Sequence, residues 1–264
     1  MDLQLTNKRA LVTGSTTGIG LAIAEGLLKE GASVVINGRG KDKVDAVVKQ
    51  LKEKYPAAGV QGIAADFSKA DEVDALIAAL PEVDILVNNV GIFEPKAFTE
   101  IADADWLKFY EVNVLSGVRL SRAYLPKMLQ QNEGRIIFIS SESALNIPEE
   151  MIHYGMTKTA QLAVSRGLAE LTKKTKVTVN SVLPGPTASD GVTEMISTWS
   201  KQQNITVKEA EVEFFKTLRP TSLLQRFAAP AEIANLVVYI ASPLSSATNG
   251  ASLRADGGVA KFIV

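Results

Sequence analysis

The run RALVTGSTTGIG, Arg9 to Gly20, joins a short apolar segment to a glycine-rich turn. Arg9 to Thr13 has the near-continuous apolar character of a strand covered on both faces. From Gly18 to Glu30 the apolar residues Ile19, Ala22, Ile23, Leu27 and Leu28 follow helical spacing. Between strand and helix, glycine permits a tight turn and lets backbone N–H groups approach a pyrophosphate. The helix N-terminus behind the turn favours negative charge. The spacing is G-x-x-x-G-x-G, not the commoner G-x-G-x-x-G. Its weight comes from its place at the start of a βαβ unit. Gly14, Ser15, Thr16, Thr17, Gly18, Ile19 and Gly20 are therefore the expected cradle for a dinucleotide.

Outward from this turn the alternation continues. Strands are expected at 32–37, 59–65, 84–88, 135–140, 177–183 and 251–254, and helices at 42–55, 71–80, 105–130, 154–172 and 230–242. Strands alternating with helices imply parallel βαβ units. The fold class is thus α/β: a Rossmann-like, doubly wound parallel sheet of about seven strands with helices on both faces, in one domain spanning 1–264. One segment, 188–229, is longer than a connection should be. It carries Met195, Ile196, Trp199, Phe214, Phe215 and Leu218 among polar residues. It reads as a helical lid over a substrate site, or as an inserted packing or oligomer element.

Composition narrows the function. The 264 residues carry a net charge of -1, with no basic stripe to meet phosphates of a nucleic acid. There is no apolar leader or membrane-spanning run, so no membrane partner and a cytoplasmic location are expected. The absence of cysteine removes disulfides, thiolate metal sites and a Cys nucleophile, and fits a reducing compartment. With His153 the only histidine, no metal site is expected.

The end of the second strand should meet the adenosine ribose, where an acid suits NAD and an arginine suits the extra phosphate of NADP. Here the residues are Asn37-Gly38-Arg39. A guanidinium matches phosphate geometry, so NADP is favoured, with NAD possible, and with help from the Ser15 and Thr16 hydroxyls. The alternative is that Arg39 is a solvated turn residue.

Tyr154 and Lys158 lie four apart at the start of a helix and share a face. An ammonium beside a phenol favours the phenolate, the tuning a general acid/base requires. Ser141 closes the fifth strand, where ligands bind in open α/β sheets, and can donate to a substrate oxygen. Glu142 follows it, open to reading a polar substrate group or to a solvated or cap role. His153 is expected as a loop-to-helix hydrogen-bonder, and Trp106 and Phe109 as packing residues.

In this order of motifs the chain resembles the classical short-chain dehydrogenase/reductase family, from about Lys8 to Gly258. Besides TGSTTGIG and YGMTK, it shares Asn88-Asn89-Val90-Gly91 after the fourth strand, Asn113 in the next helix, Pro184-Gly185 after the sixth strand and Asp66 after the third. The resemblance implies that Tyr154 protonates a carbonyl oxygen or deprotonates an alcohol. It implies that Lys158 also holds the nicotinamide ribose, Ser141 orients substrate, and Asn113 holds a water linking Lys158 to solvent. Asn89, Val90 and Gly91 would flank the ribose, Asp66 and Phe67 the adenine, and Pro184, Gly185 and Thr187 the carboxamide. Val90 replaces the family's usual alanine, and Thr187 competes with Ser189 as the carboxamide contact. The implied activity is hydride transfer between NADP(H) and a small-molecule carbonyl or secondary alcohol, in a homo-oligomer (dimer or tetramer). Two other readings are a non-catalytic dinucleotide sensor or scaffold, and an isomerase, epimerase or dehydratase using the cofactor transiently.

Overall fold

The computed structural model, which describes residues 1–263, alternates strands and helices. In chain order these are β1 (Arg9–Val12), α1 (Gly18–Lys29), β2 (Ser33–Gly38), α2 (Lys41–Lys54), β3 (Val60–Ala64), α3 (Ala70–Ala79), β4 (Ile85–Asn88), α4 (Asp103–Tyr110), α5 (Ser116–Gln131), β5 (Gly134–Ile139), α6 (Ile152–Glu170), β6 (Val177–Pro184), α7 (Asp190–Gln203), α8 (Val207–Thr217), α9 (Pro230–Ala241) and β7 (Ser252–Ala255). All seven strands pair in parallel, in the order β3-β2-β1-β4-β5-β6-β7. The expected Rossmann-like architecture is the one observed.

Strand residues alternate between two cores. Ala10 and Val12 of β1, Val34 and Ile36 of β2, and Ile85 and Val87 of β4 pack into one core with Ile23 and Leu27 of α1 and Val237 of α9. Their neighbours Leu11, Val35 and Leu86 pack into the other, with Leu76 of α3 and Leu120 and Tyr124 of α5. Burial on both faces is why these strands read as unbroken apolar runs rather than alternating ones. The sheet order reverses direction at β1, which lies between β2 and β4. That reversal opens a crevice beyond the carboxyl ends of the strands.

One expected element is divided. In place of a single helix over 105–130, α4 ends at Tyr110, a π-helical turn spans Glu111–Leu115, and α5 follows. Periodicity cannot register such an insertion, because apolar spacing resumes within a turn. The 188–229 segment forms α7 and α8, which pack on each other around Ile196, Ala210, Phe214 and Phe215. Among the described residues no helix is long and apolar enough to cross a membrane.

Candidate active site

The glycine turn is held open by backbone conformation and by Asn89. Gly14 and Gly18 have φ of 60° and 57°, the left-handed region that side chains avoid. A Cβ on Gly20 would press on the Gly14 carbonyl and lie 2.5 Å from Asn89 Nδ2. Asn89 Nδ2 in turn donates to the Thr13 and Gly14 carbonyls at 2.9 and 3.1 Å. Thr13 Oγ1 accepts from the N–H groups of Asn89 and Val90, tying the turn after β1 to the segment after β4. The result is a tight turn at the crevice mouth, packed too closely on Asn89 for a Cβ at Gly20. Such a turn, running into the N-terminus of α1, fits a pyrophosphate. Val90 Cγ2 faces Gly14, so the bulk that distinguishes it from alanine packs against the turn.

Ser15 is buried, and its hydroxyl is committed within the protein. It donates to the Val12 carbonyl at 2.7 Å and accepts from the Asn37 N–H at 3.0 Å. That leaves Thr16, beside Gly38, as the hydroxyl available near the ribose end. Arg39 is exposed at the end of β2 and makes no ion pair among the described residues. Asp66 caps its own loop, accepting from Ser68 N and Oγ at 3.0 and 2.8 Å. Burial works against its charge, but these bonds outweigh it and its pKa is lowered. Phe67 is a core residue.

Of the candidate catalytic side chains, Ser141, Tyr154 and Lys158 converge on one cavity of about 520 Å³ at the carboxyl ends of β4, β5 and β6, whereas Asn113 does not line it. Asn89, Gly91, Ser141, Tyr154, Lys158, Pro184, Gly185 and Thr187 all line it. Lys158 is buried, and its Nζ donates to the Ile139 carbonyl at 2.9 Å and approaches Gln161 Oε1 at 3.4 Å. Loss of solvent pushes this ammonium down to about 7. The Nζ lies 5.6 Å from the Tyr154 ring centroid. Burial pushes the Tyr154 phenol well above its ordinary value; the nearby Ser141 side chain offsets part, Glu142 adds to the rise and Arg219 reduces it. Desolvation thus outweighs the lowering expected from the Lys158 ammonium.

Asn113 lies within the π-helical turn. Its Oδ1 accepts from Ile92 N at 2.8 Å, and its Nδ2 donates to Ile92 O and Thr157 Oγ1 at 3.0 and 2.9 Å. The side chain thus anchors the loop beyond Gly91. Its main-chain carbonyl accepts from Gln161 Nε2 at 2.5 Å. Gln161 therefore bridges the Asn113 carbonyl and the Lys158 ammonium, a link that sequence reasoning missed. Thr187 is buried and donates to the Gly185 carbonyl at 2.9 Å, whereas Ser189 begins α7 and faces Gly18. The Asp256 loop backs onto Gly185, where no Cβ fits.

Beside Ser141 the structure assembles a charged group of which the sequence suggested only one member. Glu142 is 2% exposed. Its Oε2 accepts from Ser141 Oγ at 2.9 Å and from Ser143 Oγ. Its Oε1 accepts from Arg219 Nε at 2.7 Å, and Arg219 Nη1 reaches Glu150 Oε1 at 3.2 Å. A solvated role for Glu142 is thereby excluded. Arg219 follows α8, far away in sequence, which is why no local pattern revealed it. Met195, Trp199, Phe214 and Leu218 from α7, α8 and their ends form the apolar wall opposite. His153 makes no hydrogen bond through either ring nitrogen. It stacks on Phe109 at 4.0 Å and near Trp106 at 6.0 Å, so the expected hydrogen-bonding role gives way to packing. No group of three or more acidic or histidine side chains suited to a metal occurs among the described residues.

Comparison with known proteins agrees with this geometry. A family model described as short chain dehydrogenase matches residues 8–202. Over all of both chains, the protein is 51% identical to an uncharacterized oxidoreductase, YvaG, of Bacillus subtilis. It is 32% identical to the 3-oxoacyl-[acyl-carrier-protein] reductase FabG of Aquifex aeolicus, over 98% of this chain and 100% of that protein. The solved structure of L-sorbose reductase from Gluconobacter frateurii, in complex with NADPH and L-sorbose, superposes with a TM-score of 0.93. Each chain is covered in full, at 32% identity.

Proposed function

The chain belongs to the short-chain dehydrogenase family, an oxidoreductase family, and from that premise we propose that it moves a hydride between NADP(H) and a carbonyl or secondary alcohol, with Tyr154 as acid/base. The observation that carries the reading is the meeting of Ser141, Tyr154 and Lys158 in one cavity beside a glycine turn too tight for a Cβ at Gly20. A bound nicotinamide supplies or accepts the hydride; the protein supplies position and proton.

In the reductive direction the carbonyl carbon gains the hydride and its oxygen takes the Tyr154 proton. The raised pKa of the buried phenol keeps that proton in place until charge develops on the oxygen. Lys158, on the same helix face, stabilises the phenolate left behind. Gln161 and the Ile139 carbonyl hold the ammonium in position. Ser141 orients the oxygen. In this structure its hydroxyl donates to Glu142, so substrate binding turns that donor away from the carboxylate, which keeps Ser143 and Arg219. Arg39, with Thr16, selects the phosphorylated ribose, and α7 and α8 act as the lid. That L-sorbose reductase was solved with NADPH supports this choice of cofactor.

Tyr154→Phe tests the assignment. Turnover of a broad carbonyl panel, followed by NADPH absorbance, is expected to fall by roughly 10²–10⁴-fold, while NADPH affinity by fluorescence titration is retained. Full activity in this variant refutes the acid/base role.

A further inference from the structure

We propose that Arg219, set in place by Glu142 and Glu150, is a recognition site for a neutral hydroxyl group next to the reacting carbonyl, making hydroxy ketones with an apolar remainder the preferred substrates. The inference rests on the hydride-transfer reading above and specifies its substrate.

Arg219 and Glu142 are 7% and 2% exposed, and Arg219, Glu142 and Glu150 all line the cavity. The donors of Arg219 divide into two sets. Nε and Nη1 are committed to Glu142, Glu150 and the Leu218 carbonyl at 2.7, 3.2 and 2.7 Å. The two hydrogens of Nη2 meet no acceptor among the described residues, and the atom is not sealed from solvent. Arg219 lines the cavity, so a ligand oxygen entering it can replace water at these donors.

Charge identifies the kind of oxygen. Two carboxylates surround one guanidinium, so the group carries an excess negative charge. A carboxylate or phosphate brought here loses its water to face a cation already over-compensated. A hydroxyl does not meet that repulsion. It can accept from Arg219 Nη2 and donate to Glu150, whose Oε2 has no partner among the described residues. A ketone or ether oxygen can only accept, so the donor–acceptor pairing singles out a hydroxyl.

Distance ties the site to the reaction. Ser141 Oγ, the Glu142 carboxylate and Arg219 are linked in series by contacts of 2.9 and 2.7 Å. Ser141 and Arg219 line the same cavity, so a carbonyl held at Ser141 can present a hydroxyl on the neighbouring carbon toward Arg219. The rest of the substrate then extends over Phe93, Met195, Trp199 and Phe214.

The test uses the full-length enzyme with NADPH and three aromatic ketones that differ only in the neighbouring group: acetophenone, α-hydroxyacetophenone and phenylglyoxylate. A hydrogen bond to a charged group separates the first two by about 10–100-fold in kcat/KM, in favour of the hydroxy ketone. Phenylglyoxylate, carrying a carboxylate, is expected to do no better than acetophenone. In Arg219→Met both ketones react more slowly, and their ratio falls toward one. In Glu150→Gln, which keeps the shape and removes one negative charge, the hydroxy-ketone advantage shrinks and phenylglyoxylate gains relative to acetophenone. Equal kcat/KM for the first two ketones, phenylglyoxylate as the best of the three, or an unchanged ratio in Arg219→Met overturns the Arg219 site while leaving hydride transfer intact. No NADPH oxidation with any of the three, in enzyme that binds NADPH, counts against hydride transfer itself.

Discussion

Replacing Arg39 by alanine asks how this chain tells one dinucleotide from the other. Arg39 follows β2, is exposed, and makes no ion pair among the described residues, so its guanidinium is available to a phosphate at the 2′ position. A hydrogen bond to a charged group contributes about 1.5–3 kcal/mol, and solvent and salt around an exposed side chain favour the lower end. The expected loss in kcat/KM for NADPH is therefore roughly tenfold and at most about 100-fold. The value for NADH should hardly move. Supplying the acid that suits NADH is harder than one substitution. A Cβ at Gly38 would lie 2.7 Å from Thr16 Cγ2 and 3.3 Å from Val44 Cγ2. Gly38→Asp alone thus displaces Thr16 and weakens both cofactors, whereas combining it with Thr16→Ser removes the methyl group in the way. Steady-state rates with each cofactor at two salt concentrations provide the assay: the Arg39→Ala defect should diminish as salt rises. An unchanged preference for NADPH over NADH in Arg39→Ala would refute the reasoning.

Three further outcomes follow from the site. With Lys158 lowered to about 7 by burial, the ammonium that supports the phenolate is lost as pH rises through that value. Reductive kcat/KM is therefore expected to be flat at acidic pH and to fall above about 7, and a profile with no limb near neutrality contradicts the lowered pKa. The same shift bears on stability: between about 7 and the ordinary 10.5 the unfolded chain holds a proton that the folded chain has released, so melting temperature should gain from rising pH in this window. Gly20→Ala forces a methyl group against the Gly14 carbonyl and Asn89, an overpacking cost of about 1–3 kcal/mol. It should lower Tm by several degrees and weaken NADPH binding, read by thermal melts and fluorescence titration; wild-type affinity would show that the turn does not cradle the cofactor.

How far the sequence was legible depends on whether each signal is local. The sheet was readable because strands buried on both faces, such as Ala10-Leu11-Val12 and Val34-Val35-Ile36, are continuous apolar runs punctuated by helical spacing. The glycine turn was readable because positive φ at Gly14 and Gly18 demands glycine. Tyr154 and Lys158 were readable as a pair because i and i+4 meet on any helix. Environment was not. The neighbour in sequence suggested a lowered phenol, whereas the surrounding protein, by excluding water, raises it. The π-helical turn at Glu111–Leu115 was equally hidden, and with it the release of the Asn113 carbonyl to Gln161. Ser15 was read as facing the ligand from its type and place, but the Asn37 N–H, twenty-two residues on, claims its hydroxyl.

The buried carboxylate of Glu142 poses the problem that the rest of the site answers. An ion this deeply buried is costly unless paired and fully hydrogen-bonded, and it adds to the rise in the Tyr154 pKa. Three donors from two regions of the chain hold it: Ser141 and Ser143 from the segment after β5, and Arg219 from the end of α8. Of these, Ser141 is the one that the proposed reaction requires elsewhere, since there a substrate oxygen needs its hydrogen. Arg219 is the one whose position depends on α7 and α8 lying over the cavity. Removing Arg219 therefore does more than open space. It strands the carboxylate, which then competes harder for the Ser141 hydroxyl and pushes Tyr154 further from ionisation. Ser141 and the helices that wall the cavity are in this way joined through a single carboxylate, and the donor set of Ser141 cannot be understood without Arg219.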